Sequence, residues 1–184
     1  MIELFKDFGV PLSVAFIAAL ASVLGLIISK ESKVSEFRQA WIDGLRCDIA
    51  ALIGHTAALQ AVKLMKIENN DRLSLSLKHF LGVNEMASKI RLRLNPKKKS
   101  HRPVLNALEK HESFFSKPVE DLDYDGIEKA EERLISQGQI LLKMVWEEVK
   151  VGELTYRVSR ASFIVLLIAS IVSLVALTLA KLCK

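Results

Sequence analysis

The chain is poor in the residues that mark most small catalytic or disulfide-built domains. Its 184 residues include two cysteines, which make neither a disulfide framework nor a cysteine-based zinc site. No G-x-S-x-G, H-E-x-x-H, P-loop or Rossmann fingerprint occurs, and His55, His79, His101 and His111 are scattered without metal-ligand spacing. His111-Glu112 reads as a surface pair. Enzymatic chemistry and a bound cofactor therefore have no footing, and no enzyme is expected. No proline follows Pro118, so nothing of that kind interrupts a helix from residue 126 onward. Internal repeats and long flexible linkers are also missing. The most informative absence is charge: residues 10–29 and 161–180 contain no Asp, Glu, Lys, Arg or His.

Those two blocks explain an unusual composition, 51% hydrophobic yet 26% charged. As helices rising about 1.5 Å per residue, each covers roughly 30 Å, the thickness of a bilayer's hydrocarbon core. A cleaved signal peptide would begin with a basic segment, whereas Lys6 is opposed by Glu3 and Asp7. Of 26 Lys and Arg residues, all but Lys6, Lys181 and Lys184 lie between the blocks. Lys30, Lys33 and Arg38 follow the first, and Lys150, Arg157 and Arg160 precede the second, which predicts a cytoplasmic middle segment. Both termini would face outward, with Cys47 and Cys183 on opposite sides of the membrane. The expected organisation is a tail (1–9), a first span (10–29), a cytoplasmic helical domain (30–160), a second span (161–180) and a short tail (181–184).

Within the middle segment, Phe37, Trp41, Leu45, Ile49, Leu52 and Leu59 recur at helical spacings, predicting a helix over 35–66 whose core face includes Phe37, Trp41 and Leu45. Residues 71–94 fit two patterns. Leu73, Leu75 and Leu77, then Ile90, Leu92 and Leu94, alternate like strands, while Leu73, Leu77, Phe80, Leu81 and Met86 fit a helix. Helix is favoured, because Asn95-Pro96 supplies a stop. A short helix follows over 103–115 with Pro103 in its first turn. A long one runs from about 126 through the second span, tolerating Gly138 and Gly152. The fold class is all-α, two transmembrane helices continuing into an antiparallel cytoplasmic bundle.

Three features are candidates for a site. Asp121, Asp123, Asp125, Gly126 and Glu132 match the calcium-loop pattern D-x-D-x-D-G-x5-E. The same acids are explained by a helix start, with Asp125 as N-cap and Glu128 completing a capping box. Arg91, Arg93, Lys97, Lys98, Lys99 and Arg102 form a basic run without an acid, suited to phosphates of a nucleic acid or lipid headgroups, or simply to a solvated loop. Its distance in sequence from both spans favours a phosphorylated polymer, although no aromatic is interleaved for base stacking. Finally, Ala18, Ala21, Ser22, Gly25 and Ser29 share one face of the first span. Ser162, Ala169, Ser173, Ala176 and Ala180 share one face of the second. Such stripes permit close backbone approach, within one chain or between copies. Ser170 and Ser173 are among the few polar groups available to a wet path. With no ionisable residue at bilayer depth, a proton relay is not expected.

The segment Phe37-Arg38-Gln39-Ala40-Trp41-Ile42-Asp43-Gly44-Leu45-Arg46, followed later by Ile90-Arg91-Leu92-Arg93-Leu94-Asn95-Pro96, resembles a group of small bacterial membrane proteins with an F-R-x-x-W-I-x-x-L-R helix after the first span. Among these, the chain resembles the two-transmembrane effector of a retron anti-phage system. That resemblance implies a toxin held inactive by a reverse transcriptase carrying its msDNA. Released on phage attack, it would damage the bacterial inner membrane in an abortive infection; the small-residue stripes of the spans, not the resemblance, suggest a homo-oligomer as the active form. It transfers no active-site residue. The alternative function is a non-toxic membrane anchor or adaptor that recruits a cytoplasmic protein or nucleoprotein.

Overall fold

The structure, a computed structural model, describes residues 2–115, 122–151 and 154–182. It is all-helical, with no strand among the described residues. The elements are α1 (Ile2–Leu64), α2 (Asn69–Arg93), α3 (Arg102–Phe114), α4 (Tyr124–Val151) and α5 (Leu154–Leu182). The first apolar run and the helix expected at 35–66 are one 63-residue element that passes through Pro11. Gly152, where a continuous helix into the second span was expected, lies outside the described residues.

Leu92 decides between the two patterns read in residues 71–94. Ile90 and Leu94 are buried, whereas Leu92 is 87% exposed. In a strand the three would share one face; in a helix Ile90 and Leu94 lie one turn apart and Leu92 faces away. Leu94 then leaves the helix with an extended backbone, its N–H bonded to the Arg91 carbonyl. Pro96 keeps Asn95 out of the helical region and holds the exit open.

The chain divides into two compact units, Arg38–Glu147 on the one hand and Met1–Phe37 with Glu148–Lys184 on the other. In the first, α1 contributes a regular stripe: Ile42, Leu45, Ile49, Leu52, Thr56, Leu59 and Val62 are all buried. Steps of three and four residues keep that seam on one side of the helix. Leu45, Ile49 and Leu52 meet Met86, Ala87, Ile90 and Leu94 of the α2 end, Val104, Ala107 and Leu108 of α3, and Leu134 and Leu141 of α4. A second cluster joins Leu59, Val83, Phe115, Leu122 and Ile127. Each fully buried leucine contributes about 1.5–3 kcal/mol of burial free energy, so this core is the main source of the unit's stability.

Two expectations are corrected here. Phe37 is 76% exposed and outside the core. Eight residues before Leu45, it is rotated roughly 80° from that residue around a 3.6-residue helix, so matching spacings did not put it on the same face. Trp41, rotated by roughly half as much, packs at the core's margin. His111 is not a surface group. It is fully buried, with Nε2 3.4 Å from the Thr56 hydroxyl and 3.7 Å from a Glu131 carboxylate oxygen.

The other unit is built from apolar helix. Within Pro11–Leu64 and within Tyr156–Ala176 lie windows of mean hydropathy 2.5 and 2.2, so the protein has two helices long and apolar enough to cross a membrane. Leu12, Phe16, Leu26, Val165, Ile168 and Val172 present their side chains outward. The hydroxyls of Ser22, Ser170 and Thr178 donate to carbonyls of their own helices at 2.8–2.9 Å. These three donors are thereby satisfied within their own helices in an apolar setting.

Leu52→Ala or Leu108→Ala should each cost about 2–5 kcal/mol, whereas Phe37→Ala should change stability by no more than about 0.5 kcal/mol. Denaturant melts followed by helical circular dichroism will separate the two classes.

Candidate functional site

The two sequence segments that carry the family resemblance meet in space. The carbonyls in the last turn of α2 have no partner within the helix, and the Trp41 indole Nε1–H supplies one, donating to the Arg93 carbonyl at 3.1 Å. The Arg93 side chain crosses α1 in the opposite direction. It lies against Gly44, where a Cβ would come within 2.5 Å of the guanidinium. Its Nε then donates to the Asp48 carboxylate at 2.5 Å. Asp48 is buried and Arg93 half-buried. Trp41, Gly44 and Asp48 stand three and four residues apart, so one face of α1 grips Arg93 by its carbonyl and its guanidinium.

The same indole continues into the loop. Trp41 stacks on His101 with ring centroids 5.8 Å apart and planes 28° from parallel. The buried His101 accepts the Asn95 backbone N–H on Nδ1 at 2.9 Å. Asn95 in turn accepts the Lys97 N–H on its side-chain oxygen at 2.9 Å and the Lys98 N–H on its carbonyl at 3.0 Å. His101 N–H closes the turn on the Lys98 carbonyl at 3.1 Å, and Arg102 Nε donates to the Pro96 carbonyl at 3.2 Å. The loop is a hydrogen-bonded turn seated on Trp41, and it displays Lys97, Lys98, Lys99 and Arg102 at the surface.

The six-residue basic run therefore splits by role. Arg93 belongs to the grip just described, and Arg91 pairs with Glu112 of α3. Both were expected as phosphate contacts, and each is engaged by an acid, 45 and 21 residues away in sequence. Lys97, Lys98 and Lys99 enter no ion pair with a described residue. With Arg102 they place four exposed cations on one pinned turn.

The acidic pattern resolves differently. Asp121 lies outside the described residues. Asp123, not Asp125, caps α4, because its Oδ1 accepts the Gly126 N–H at 3.0 Å. With Gly126 three residues on, no side chain returns the bond, so the expected capping box is not formed. Among the described residues no three His, Cys, Asp or Glu side chains come together as a metal site.

The small-residue faces also lie differently from close intramolecular packing. Ala18, Ala21, Ser22, Gly25 and Ser29 are exposed, as are Ala169, Ser173 and Ala176. The more covered side of α1 carries Ser13, Ile17, Leu20, Leu24 and Ile27, and that of α5 carries Phe163, Ile164, Leu167, Ser170 and Leu174. A recess in this unit is lined by Ser13, Phe16, Ala169, Ser170 and Ser173 among others.

No protein-family model, curated protein or solved structure matches the chain. The residues that sequence reasoning missed are Gly44, Asp48, His101 and Glu112. Only Gly44, inside the quoted motif, carried a local signal.

Asp48→Asn and Arg93→Ala should each destabilise the unit by about 1–3 kcal/mol. Their double variant should fall short of the sum by more than about 0.5 kcal/mol. Gly44→Ala should lower the melting temperature as well, whereas additive effects of Asp48→Asn and Arg93→Ala would show that the pair is not coupled.

Proposed function

We propose that the chain is a membrane-embedded anti-phage defence effector. Released from an inhibitory complex of a reverse transcriptase with its msDNA, it disrupts the bacterial inner membrane. In this reading the helices of residues 38–147 form an antiparallel cytoplasmic bundle, both termini are periplasmic, and the two apolar helices are the toxic part. The observation that carries the reading is the pair of apolar helices, with the small-residue face of α1 at Ala18, Ala21, Ser22, Gly25 and Ser29 left exposed. Such faces are suited to close approach between copies in lipid, so the active form is a homo-oligomer. The pinned turn of Lys97, Lys98, Lys99 and Arg102 fits the polyanionic part of the inhibitor. The resemblance of the Phe37–Arg46 and Ile90–Pro96 segments to retron-type membrane effectors supports the same assignment.

A second reading, a non-toxic anchor or adaptor, is favoured by one feature. Leu73, Leu77 and Leu81 are more than half exposed and line one face of α2 at successive turns. A row of this kind suits a protein partner.

Expression of the chain alone in bacteria should collapse the membrane potential within minutes, read with a potential-sensitive dye. Full growth and unchanged potential at high expression would overturn the effector reading in favour of the adaptor. Replacing Lys97, Lys98, Lys99 and Arg102 together by Ala should weaken binding of the nucleic-acid-bearing partner. The slope of log K against log salt should become shallower by up to about 3–4, since four phosphate contacts are removed. An unchanged affinity across the salt series would leave the loop a solvated surface.

A further inference from the structure

The helices α1 and α2 each bring one histidine to the same level. His55 and His79, 24 residues apart in sequence, direct their Nδ1 atoms at one another across 3.1 Å. Their ring centroids are 5.4 Å apart and their planes 50° from parallel. Both rings are half-buried and open to solvent on one side. Gly82, on the same face of α2 as His79, makes the space, because a Cβ there would lie 2.6 Å from three atoms of the His55 ring. The approach is built by both helices and does not depend on two loose surface side chains.

Two imidazole nitrogens held this close either share one N–H···N hydrogen bond or face one cation. Zinc–nitrogen bonds of about 2.0–2.1 Å place two ligands of a tetrahedral ion about 3.3 Å apart, and two neighbouring ligands of a square-planar ion about 2.9 Å apart. The observed 3.1 Å falls between these values. We propose that His55 and His79 form a two-imidazole site for a d-block dication, Cu²⁺ or Zn²⁺, that clips α1 to α2. The ion takes the place of the hydrogen bond. The imidazole that donated from Nδ1 carries its proton on Nε2 instead, so both Nδ1 lone pairs become donors and no net proton is lost from the neutral pair. Imidazole suits copper and zinc, and the hard cations Mg²⁺ and Ca²⁺ find no oxygen set here.

The surroundings agree with this chemistry. Burial, then the proximity of His55 and Lys78, hold the His79 imidazole below its ordinary value. Glu85 lies near His55, and its carboxylate is bonded to Lys89 at 2.7 Å. No third His, Cys, Asp or Glu completes a protein cage among the described residues. Water fills the remaining positions, and the ion is removable by a chelator.

The test uses the full-length chain without an affinity tag, stripped of metal and held in detergent micelles. Adding Cu²⁺ or Zn²⁺ a hundredfold above its Kd should raise the melting temperature by about 5 °C or more. EDTA should reverse the rise, and Mg²⁺ should not produce it. His55→Asn and His79→Asn should each abolish the shift while keeping the helical circular dichroism of the parent. At one Cu²⁺ per chain, electron paramagnetic resonance should show two nitrogen ligands in the parent and at most one in either variant. The proposal is overturned if the parent shows no metal-dependent shift, or if shift and spectrum persist unchanged in both variants. Because the readout is stability and spectroscopy, its failure leaves the effector reading untouched, and the converse also holds.

Discussion

Arg93 is the residue on which the domain's arrangement turns. A guanidinium half withdrawn from water needs an anion with which its hydrogen bonds can be shared. Asp48 is that anion, and it is itself too buried to stand alone. Each therefore compensates the other's desolvation, and the compensation works only at close range. Close range in turn requires that α1 carry nothing at position 44. The bare backbone there lets α2 approach far enough for Ile90 and Leu94 to reach the α1 seam. Packing and electrostatics are thus satisfied by the same approach.

The grip also determines what the following loop can be. With α2 stopped ahead of Pro96, the Arg93 carbonyl is left for the Trp41 indole N–H, and the chain turns back through Asn95 and Pro96 to His101, which stacks on that indole. His101 then finds a flat partner on one side and a backbone N–H to accept at Nδ1. A tertiary contact, not loop composition, gives the lysine run its shape.

Much of this architecture was legible in the sequence because it rests on periodicity. Charge-free runs mark the two long apolar helices, and the spacing of Leu45, Ile49, Leu52 and Leu59 marks a helix with one buried side. Proline at 96 and 103 marks the ends of its neighbours. What could not be read was anything depending on which partner a residue meets. Phe37 shares spacings with the seam but not its phase. Arg91 and Arg93 belong to a basic run, yet their acids lie on other helices. His111 was expected on the surface because its chain neighbour is acidic, and it is buried against α1 and α4. The small residues of the apolar helices read as stripes from spacing alone, but which side of each helix stays uncovered is a property of packing. The Asp123 cap was displaced by two residues because Asp123 and Asp125 fit a helix start equally well in composition.

The turn that displays Lys97, Lys98 and Lys99 has a thermodynamic consequence. Its hydrogen bonds close on His101, which is held by Trp41, which is held by the end of α2. The charge display therefore exists only while the domain is folded. An unfolded chain offers the same lysines without their arrangement. Any polyanion that recognises the arrangement binds the native state preferentially and raises its stability by mass action. A partner seated on this turn is thus also a ligand for folding, and its departure both uncovers the loop and loosens the domain beneath it.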